Sequence, residues 1–310
     1  MKGLELSRRY YFCYGEKMLK EQFPQCLDEV ACGLFGSGSE CYGFDDEIST
    51  DHDFEPGFLL LVSSDVDENT FFQLERAYSK LPREFEGYKR GMLSAVGGHR
   101  HGVFRTSEFF LEKTGSPDGE LSLSQWLTID ENCLAEAING EIFYDGKKEV
   151  SRIREKFSRM PSDVMKKRLA GNLLIMAQSG QYNYPRCLQH GQKAAAQLAL
   201  NEFVKATMKV IFLLNRSYMP YYKWSFKALR NLPVLSISAD ILEYLLTGDF
   251  QEVGTRQAMV ETLGQLVTEE LIRQGLTRRK DSDLEKQAYA VNDTIEDGEL
   301  RNLNILAVIF

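Results

Sequence analysis

The sequence predicts an α+β N-terminal domain followed by an all-α helical bundle, and three observations carry that reading. Apolar runs of strand length, VACGLF, FLLLV and EIFYD, all fall within the first 148 residues. Segments of helical periodicity separate them. From Glu149 onward strand signals almost vanish, and SDVMKKRLAGNLLIMAQSG, GQKAAAQLALNEFVKATMKVIFLLNR, KWSFKALRNL, SADILEYLLTG and RQAMVETLGQLVTEELIRQG space their apolar residues as helices do. The expected domains are therefore 1–148 and 149–310.

Along the chain, residues 4–22 read as an amphipathic helix with Leu6, Tyr10, Tyr14 and Met18 on one face. EVACGLFG reads as a short buried strand ending in glycine. After an acidic, Gly-Ser-rich loop, DFEPGFLLLV is the next strand, and Pro56 restricts its start to an edge or a bulge. DENTFFQLERAYSKL is helical, with Asp67 as its cap. HGVFR is a short strand signal, and GEIFYD follows the helix stop NG. In the second half Gly180, Pro185, Pro220 and Gly248 punctuate helices that should pack ridges into grooves. TRRKDSDLEK is a solvated charged stretch. NILAVIF should dock, because an exposed run of this kind makes a sticky patch.

Composition narrows the function classes. The chain has 310 residues, 43% hydrophobic and 26% charged, ordinary for a soluble globular protein. A net charge of −8 implies no general nucleic-acid binding. No apolar run reaches the ~18 residues of a membrane span. MKGLELSRRYYF is too polar for a signal peptide, so a cytoplasmic protein with no membrane partner is expected. Cys13, Cys26, Cys32, Cys41, Cys133 and Cys187 are scattered without C-x-x-C pairs and read as reduced thiols. Four histidines with no H-E-x-x-H argue against a zinc hydrolase. A homodimer is compatible with all of this.

The chemistry concentrates in residues 33–62, which hold five glycines and seven acidic residues between two apolar runs. FGSGSE, directly after a strand, frees backbone N–H groups that can cradle phosphate oxygens beside the Ser37 and Ser39 hydroxyls. The alternative is a plain tight turn. It is not a P-loop, since no Gly-Lys-Ser/Thr follows. In TDHDF, a strand would point Asp51 and Asp53 to one face and His52 to the other. Paired carboxylates repel unless a cation neutralises them, and Mg²⁺ takes such hard oxygens together with substrate phosphates. A strand, a turn and a returning strand would bring both features to one sheet end. A calcium loop does not fit, because no glycine stands where an EF-hand starting at Asp45, Asp46 or Asp51 needs it. A solvated acidic loop remains the alternative.

FGSGSECYGFDDEISTDHDF resembles the nucleotidyltransferase superfamily pattern (DNA polymerase beta-like): apolar-Gly-Gly/Ser, a short gap, then Asp-apolar-Asp/Glu-apolar. His52 departs from the usual apolar residue. More closely, this stretch, with NGEIFYD, QYNYPRC and FLLNRSYMPYYKW, resembles the bacterial group called domain of unknown function 4037, placed in that superfamily. The resemblance implies a nucleotidyltransferase domain with a small mixed sheet, then a helical substrate-binding domain. It implies that Asp51 and Asp53 hold divalent metal (Mg²⁺ or Mn²⁺) and that Ser37 and Ser39, with Gly36 and Gly38, bind the triphosphate of an NTP, taken as ATP. A third carboxylate usually completes such sites. Glu108 lies near the end of a third strand; Glu202, in LALNEFVK, is the base by analogy with antibiotic-modifying relatives, or else a solvated helix glutamate.

Three further clusters allow two readings each. QYNYPRC, with Tyr182, Tyr184 and Arg186, is either a base-stacking wall with a phosphate contact or an interhelix turn. NRSYMPYYKW, with Arg216, Tyr221, Tyr222, Lys223 and Trp224, is either a phosphate-binding pocket or core. GGHRHG, with His99, Arg100 and His101, is either a lid or a surface loop. The resulting expectation is nucleotidyl transfer to an unidentified acceptor, a small molecule or a protein, bound between the two halves. A catalytically inactive nucleotide-binding or regulatory protein of the same fold is the alternative.

Overall fold

The computed structural model describes residues 1–50, 54–90, 100–249 and 252–307. The fold is a small N-terminal mixed sheet with helices, followed by a long all-helical region. Two compact units form, one from residues 1–121 and 132–159, the other from 122–131 and 160–310. These divisions differ from the composition break at 149. The helix Glu149–Ser158 belongs to the first unit because Val150, Ile153 and Phe157 are buried there. The short helix Leu123–Thr128 belongs to the second.

Strands β1 (Val30–Leu34), β2 (Leu59–Val62), β3 (Glu84–Phe85), β4 (Tyr88–Lys89), β5 (Gly102–Arg105) and β6 (Glu141–Asp145) include a separate β3–β4 hairpin that the sequence patterns did not signal. The main sheet runs β5-β2-β1-β6. β1 is antiparallel to β2 and to β6, while β2 and β5 are parallel. Register pairs Gly33 with Leu59, Leu59 with Gly102, and Leu34 with Glu141. The end of β1 and the starts of β2, β5 and β6 therefore share one sheet edge. Every residue of β1 and β2 is buried, as suits central strands covered on both faces.

The strand expected over DFEPGFLLLV is shorter, beginning at Leu59. Pro56 has no N–H to give a ladder, and β2 is central rather than an edge strand, so pairing starts only after it. The first helix extends from Gly3 to Gln22 with one π turn at Tyr11–Gly15. Gly15 is required there, since a Cβ would stand 2.5 Å from the Phe58 ring. Tyr10, Tyr11, Met18 and Leu19 pack with Cys32, Phe58, Leu60 and Val62 as one core.

In the second unit the long helix Lys193–Leu214 packs with Ser162–Met176, Ser238–Thr247 and Val253–Arg273 around an aliphatic core. A buried ion pair sits at one side of it. Arg168 is 5% and Glu131 3% exposed, with Nη1 to Oε1 at 3.3 Å. Arg168 also donates to the Trp126, Leu127 and Ile129 carbonyls, which the end of helix Leu123–Thr128 leaves without partners. Glu131 accepts from Met219 N–H at 3.3 Å. Burial pushes the Glu131 carboxyl above its ordinary range, opposed by the positive charges of Arg168 and Lys209. At the C-terminus Ile305 and Leu306 pack against the helical core, and residues 308–310 lie outside the described residues. Among the described residues no helix is long and apolar enough to cross a membrane.

Candidate functional site

The glycine-serine turn projects from β1 at the shared sheet edge. Gly36 (φ 110°) and Gly38 (φ 123°) occupy backbone conformations that side chains rarely adopt. At Gly38 a Cβ would also stand 2.4 Å from Glu40 Oε1. Asn139 clamps the start of the turn: Gly36 N–H donates to Oδ1 at 2.7 Å, and Nδ2 donates to Gly36 O at 2.8 Å. Beyond the clamp, the N–H groups of Ser37, Gly38 and Ser39 find no acceptor among the described residues. Successive N–H groups without acceptors among the described residues, on a backbone bent by two glycines, are the kind of donor set that takes an anion.

Side chains from four other elements surround this turn within the first unit. Ser37 Oγ donates to Glu136 Oε2 at 2.8 Å, and Lys113 Nζ stands 2.9 Å from the same oxygen and 3.3 Å from Ser37 Oγ. Arg154 lies 4.7 Å over the Phe35 ring and donates to the carbonyls of Ile138 and Asn139, which holds the clamp in place. Burial lowers Arg154 to about 10, so it stays charged at neutral pH. Glu40 is buried and pairs with Arg100 at 3.4 Å. Cys41 Sγ faces Ser37 O at 3.6 Å, and burial holds its thiol protonated by raising its pKa well above normal. It is not a nucleophile in this setting.

Of the residues expected from sequence, Gly36, Ser37, Gly38 and Ser39 form this turn. Asp51 and Asp53, like His52 and His99, lie outside the described residues. The next described strand after the two aspartates, β2, begins at Leu59. Arg100 and His101 are docked rather than surface groups: Arg100 pairs with Glu40, and His101 Nδ1 is 3.4 Å from Glu55 Oε1, with its ring packed against Gly57. Glu108 is exposed on the first turn of helix Thr106–Thr114.

The other expected residues stand in the second unit and make local contacts. Glu202 has a side chain 58% exposed and pairs with Lys205 at 3.0 Å, the surroundings of a solvated helix glutamate. Arg186 lies 5.6 Å from the exposed Tyr182 ring, whereas Tyr184 is buried in the helical core. Arg216 is exposed in a left-handed conformation (φ 54°), and Lys223 lies 5.2 Å over Trp224. Tyr221 and Tyr222 have ring centroids 4.3 Å apart, tilted by 45°, and are exposed. Sequence reasoning missed Lys113, Glu136, Asn139 and Arg154. Asn139 alone carried a signal, as part of the helix stop NG, but its second role depends on a neighbour far along the chain.

Asp45 and Asp46 have structural roles. Asp45, 2% exposed, accepts from Gly3 N–H at 2.8 Å through Oδ2 and faces Lys2 Nζ at 3.5 Å through Oδ1, capping the first helix from a distance. Asp46 accepts from Ile48 N–H and Ser49 N–H, closing a surface turn. Asp45→Ala is expected to destabilise the protein by about 1–2 kcal/mol, the effect of a lost helix cap. Urea unfolding followed by circular dichroism checks this, and an unchanged midpoint would remove the capping role.

Comparison with known proteins adds the following. Residues 126–225 match the model of the family described as Domain of unknown function (DUF4037), the group the sequence resembles. The matched segment holds the whole of the Trp126–Glu131–Arg168–Met219 network described above. None of the curated proteins matches the chain. Among solved structures, a nucleotidyltransferase-like protein from Exiguobacterium sibiricum 255-15 is similar at 11% identity and a TM-score of 0.36, over 92% of this chain and 88% of that one.

Proposed function

We propose that the protein is a metal-dependent nucleotidyltransferase that moves a nucleoside monophosphate from an NTP, taken as ATP, to an acceptor hydroxyl or phosphate with release of pyrophosphate. The observation that carries this reading is the turn: three successive backbone N–H groups without acceptors among the described residues, two serine hydroxyls, and Lys113 beside them at the sheet edge. In this reading Ser37, Gly38 and Ser39 hold the β- and γ-phosphate oxygens. Asn139 and Arg154 keep the turn in shape. Positioning of this kind supplies much of the rate in phosphoryl-type transfers.

Among the described residues no group of three His, Cys, Asp or Glu side chains could hold a metal ion. In this reading the ion would be held by Asp51 and Asp53, whose hard carboxylate oxygens are the donor type Mg²⁺ and Mn²⁺ take. When bound, it would neutralise phosphate charge and lower the acceptor's pKa. Affinity for ATP is expected to fall at least ~10-fold in chelator, measured by isothermal titration, because a lost cation–phosphate contact amounts to more than 1.4 kcal/mol. Equal affinity with and without chelator would remove the metal role.

A second reading, a nucleotide-binding protein without turnover, is favoured by the state of the carboxylates near the turn. Glu40 and Glu136 are both engaged in ion pairs, so neither stands free as a third acid. Pyrophosphate release from each NTP across a panel of acceptors decides between the two. Release supports the transferase; nucleotide binding with no release under any acceptor supports the binding protein.

A further inference from the structure

We propose that Glu136 is a tethered competitor for phosphate at the glycine-serine turn, and that Lys113 is the cation it surrenders when a polyphosphate binds. The proposal rests on the phosphate-binding reading of the turn given above. A single oxygen, Glu136 Oε2, accepts from two donors of the cradle, Ser37 Oγ at 2.8 Å and Lys113 Nζ at 2.9 Å. An anionic oxygen bonded at once to a hydroxyl of the turn and to an ammonium group is the arrangement a phosphate oxygen would make. Lys113 also lies directly against the turn backbone. A Cβ on Gly36 would be 3.5 Å from its Nζ. The two side chains come from separate helices, Thr106–Thr114 and Glu131–Ile138, so their meeting at Ser37 is a product of the tertiary fold.

Exchange is feasible because the pair is only partly covered. The Lys113 side chain is 21% and the Glu136 side chain 19% exposed. An incoming phosphate oxygen can take both donors while the Glu136 carboxylate turns out to water, so no buried charge is left alone. A tethered carboxylate competes at high effective concentration and lowers the apparent affinity of every ligand that must displace it by the same factor. A triphosphate overcomes it more readily than orthophosphate because it gains further bonds from the Gly38 and Ser39 N–H groups.

Isothermal titration of inorganic tripolyphosphate in chelator tests this with wild type, Glu136→Gln, Glu136→Asp and Lys113→Gln. Removing the competing charge (Glu136→Gln) should tighten binding at least ~5-fold, and Lys113→Gln should weaken it at least ~10-fold, as charge-assisted bonds are about twice as strong as neutral ones. Glu136→Asp pulls the carboxylate back by one methylene and should tighten binding too, which keeps the test intact if one variant fails to fold. Orthophosphate should gain by a similar factor from Glu136→Gln, because it displaces the same carboxylate. Unchanged or weaker tripolyphosphate binding in both Glu136 variants, or unchanged binding in Lys113→Gln, overturns the proposal. The outcome is separable from the fate of the transferase. This order of affinities with no pyrophosphate release from any NTP would remove the transferase and leave the competitor. Release together with unaltered Glu136 variants would do the reverse.

Discussion

Asp51→Asn and Asp53→Asn are each expected to cut pyrophosphate release at least ~100-fold while the protein stays folded, since metal Lewis acidity supplies several kcal/mol of transition-state stabilisation. The two aspartates lie between the glycine-serine turn and β2, the two segments whose ends meet at the shared sheet edge. A carboxylate-to-amide change keeps the size of the side chain and removes the charge. Two neighbouring carboxylates repel each other, so losing one charge carries no stability penalty of its own. Thermal melting and turnover measured on the same samples separate loss of chemistry from loss of fold. Asp46→Asn is the control, because Asp46 is exposed and its amide can still accept from the Ile48 and Ser49 N–H groups of a surface turn. Asp45 is unsuitable, because it is buried and caps the first helix. Near-normal turnover in either Asp51→Asn or Asp53→Asn would refute the site assignment.

Arg168→Met is expected to destabilise the protein by ~3–5 kcal/mol, the usual effect of leaving one partner of a buried ion pair uncompensated. The substitution strips Glu131 of its counter-ion and leaves the Trp126, Leu127 and Ile129 carbonyls without their donor. The pH dependence gives the diagnosis. Burial already raises the folded-state pKa of Glu131 above the ordinary glutamate value of 4.5, and loss of Arg168 raises it further. A carboxyl with a raised folded-state pKa favours the folded state most when protonated, and that contribution disappears as pH rises through the folded value. The deficit of Arg168→Met relative to wild type should therefore shrink as pH falls toward 4.5 and widen toward neutrality. Adding Glu131→Gln should recover part of the loss at neutral pH. Urea unfolding at a series of pH values reads both effects. A deficit independent of pH, unaffected by Glu131→Gln, would show that lost packing rather than the stranded charge is responsible.

The sequence by itself determined the fold class and most of the elements. β1, β2 and β6 are apolar runs bounded by glycine or polar residues, and the helices after Glu149 repeat their apolar residues on the helical period. Those signals are local, carried by residues a few positions apart. The glycine-serine turn was legible for the same reason, because Gly36 and Gly38 allow a backbone that no other residues in their place would. What surrounds the turn was not legible. Lys113, Glu136, Asn139 and Arg154 are each 76 to 103 residues from Ser37 or Gly36, or meet it only through one another. Apart from the helix stop NG at Asn139, none carries a local pattern that marks it, and only the packing of three helices against one sheet edge brings them together. The tertiary structure likewise supplied the partners of Arg100 and His101, which meet Glu40 and Glu55, 60 and 46 residues away in the chain. It also placed the charged core of the second unit. Arg168 and Glu131 look like ordinary helix-surface residues in the sequence, and they are buried because the helix ends around them expose carbonyls that only a guanidinium can satisfy together.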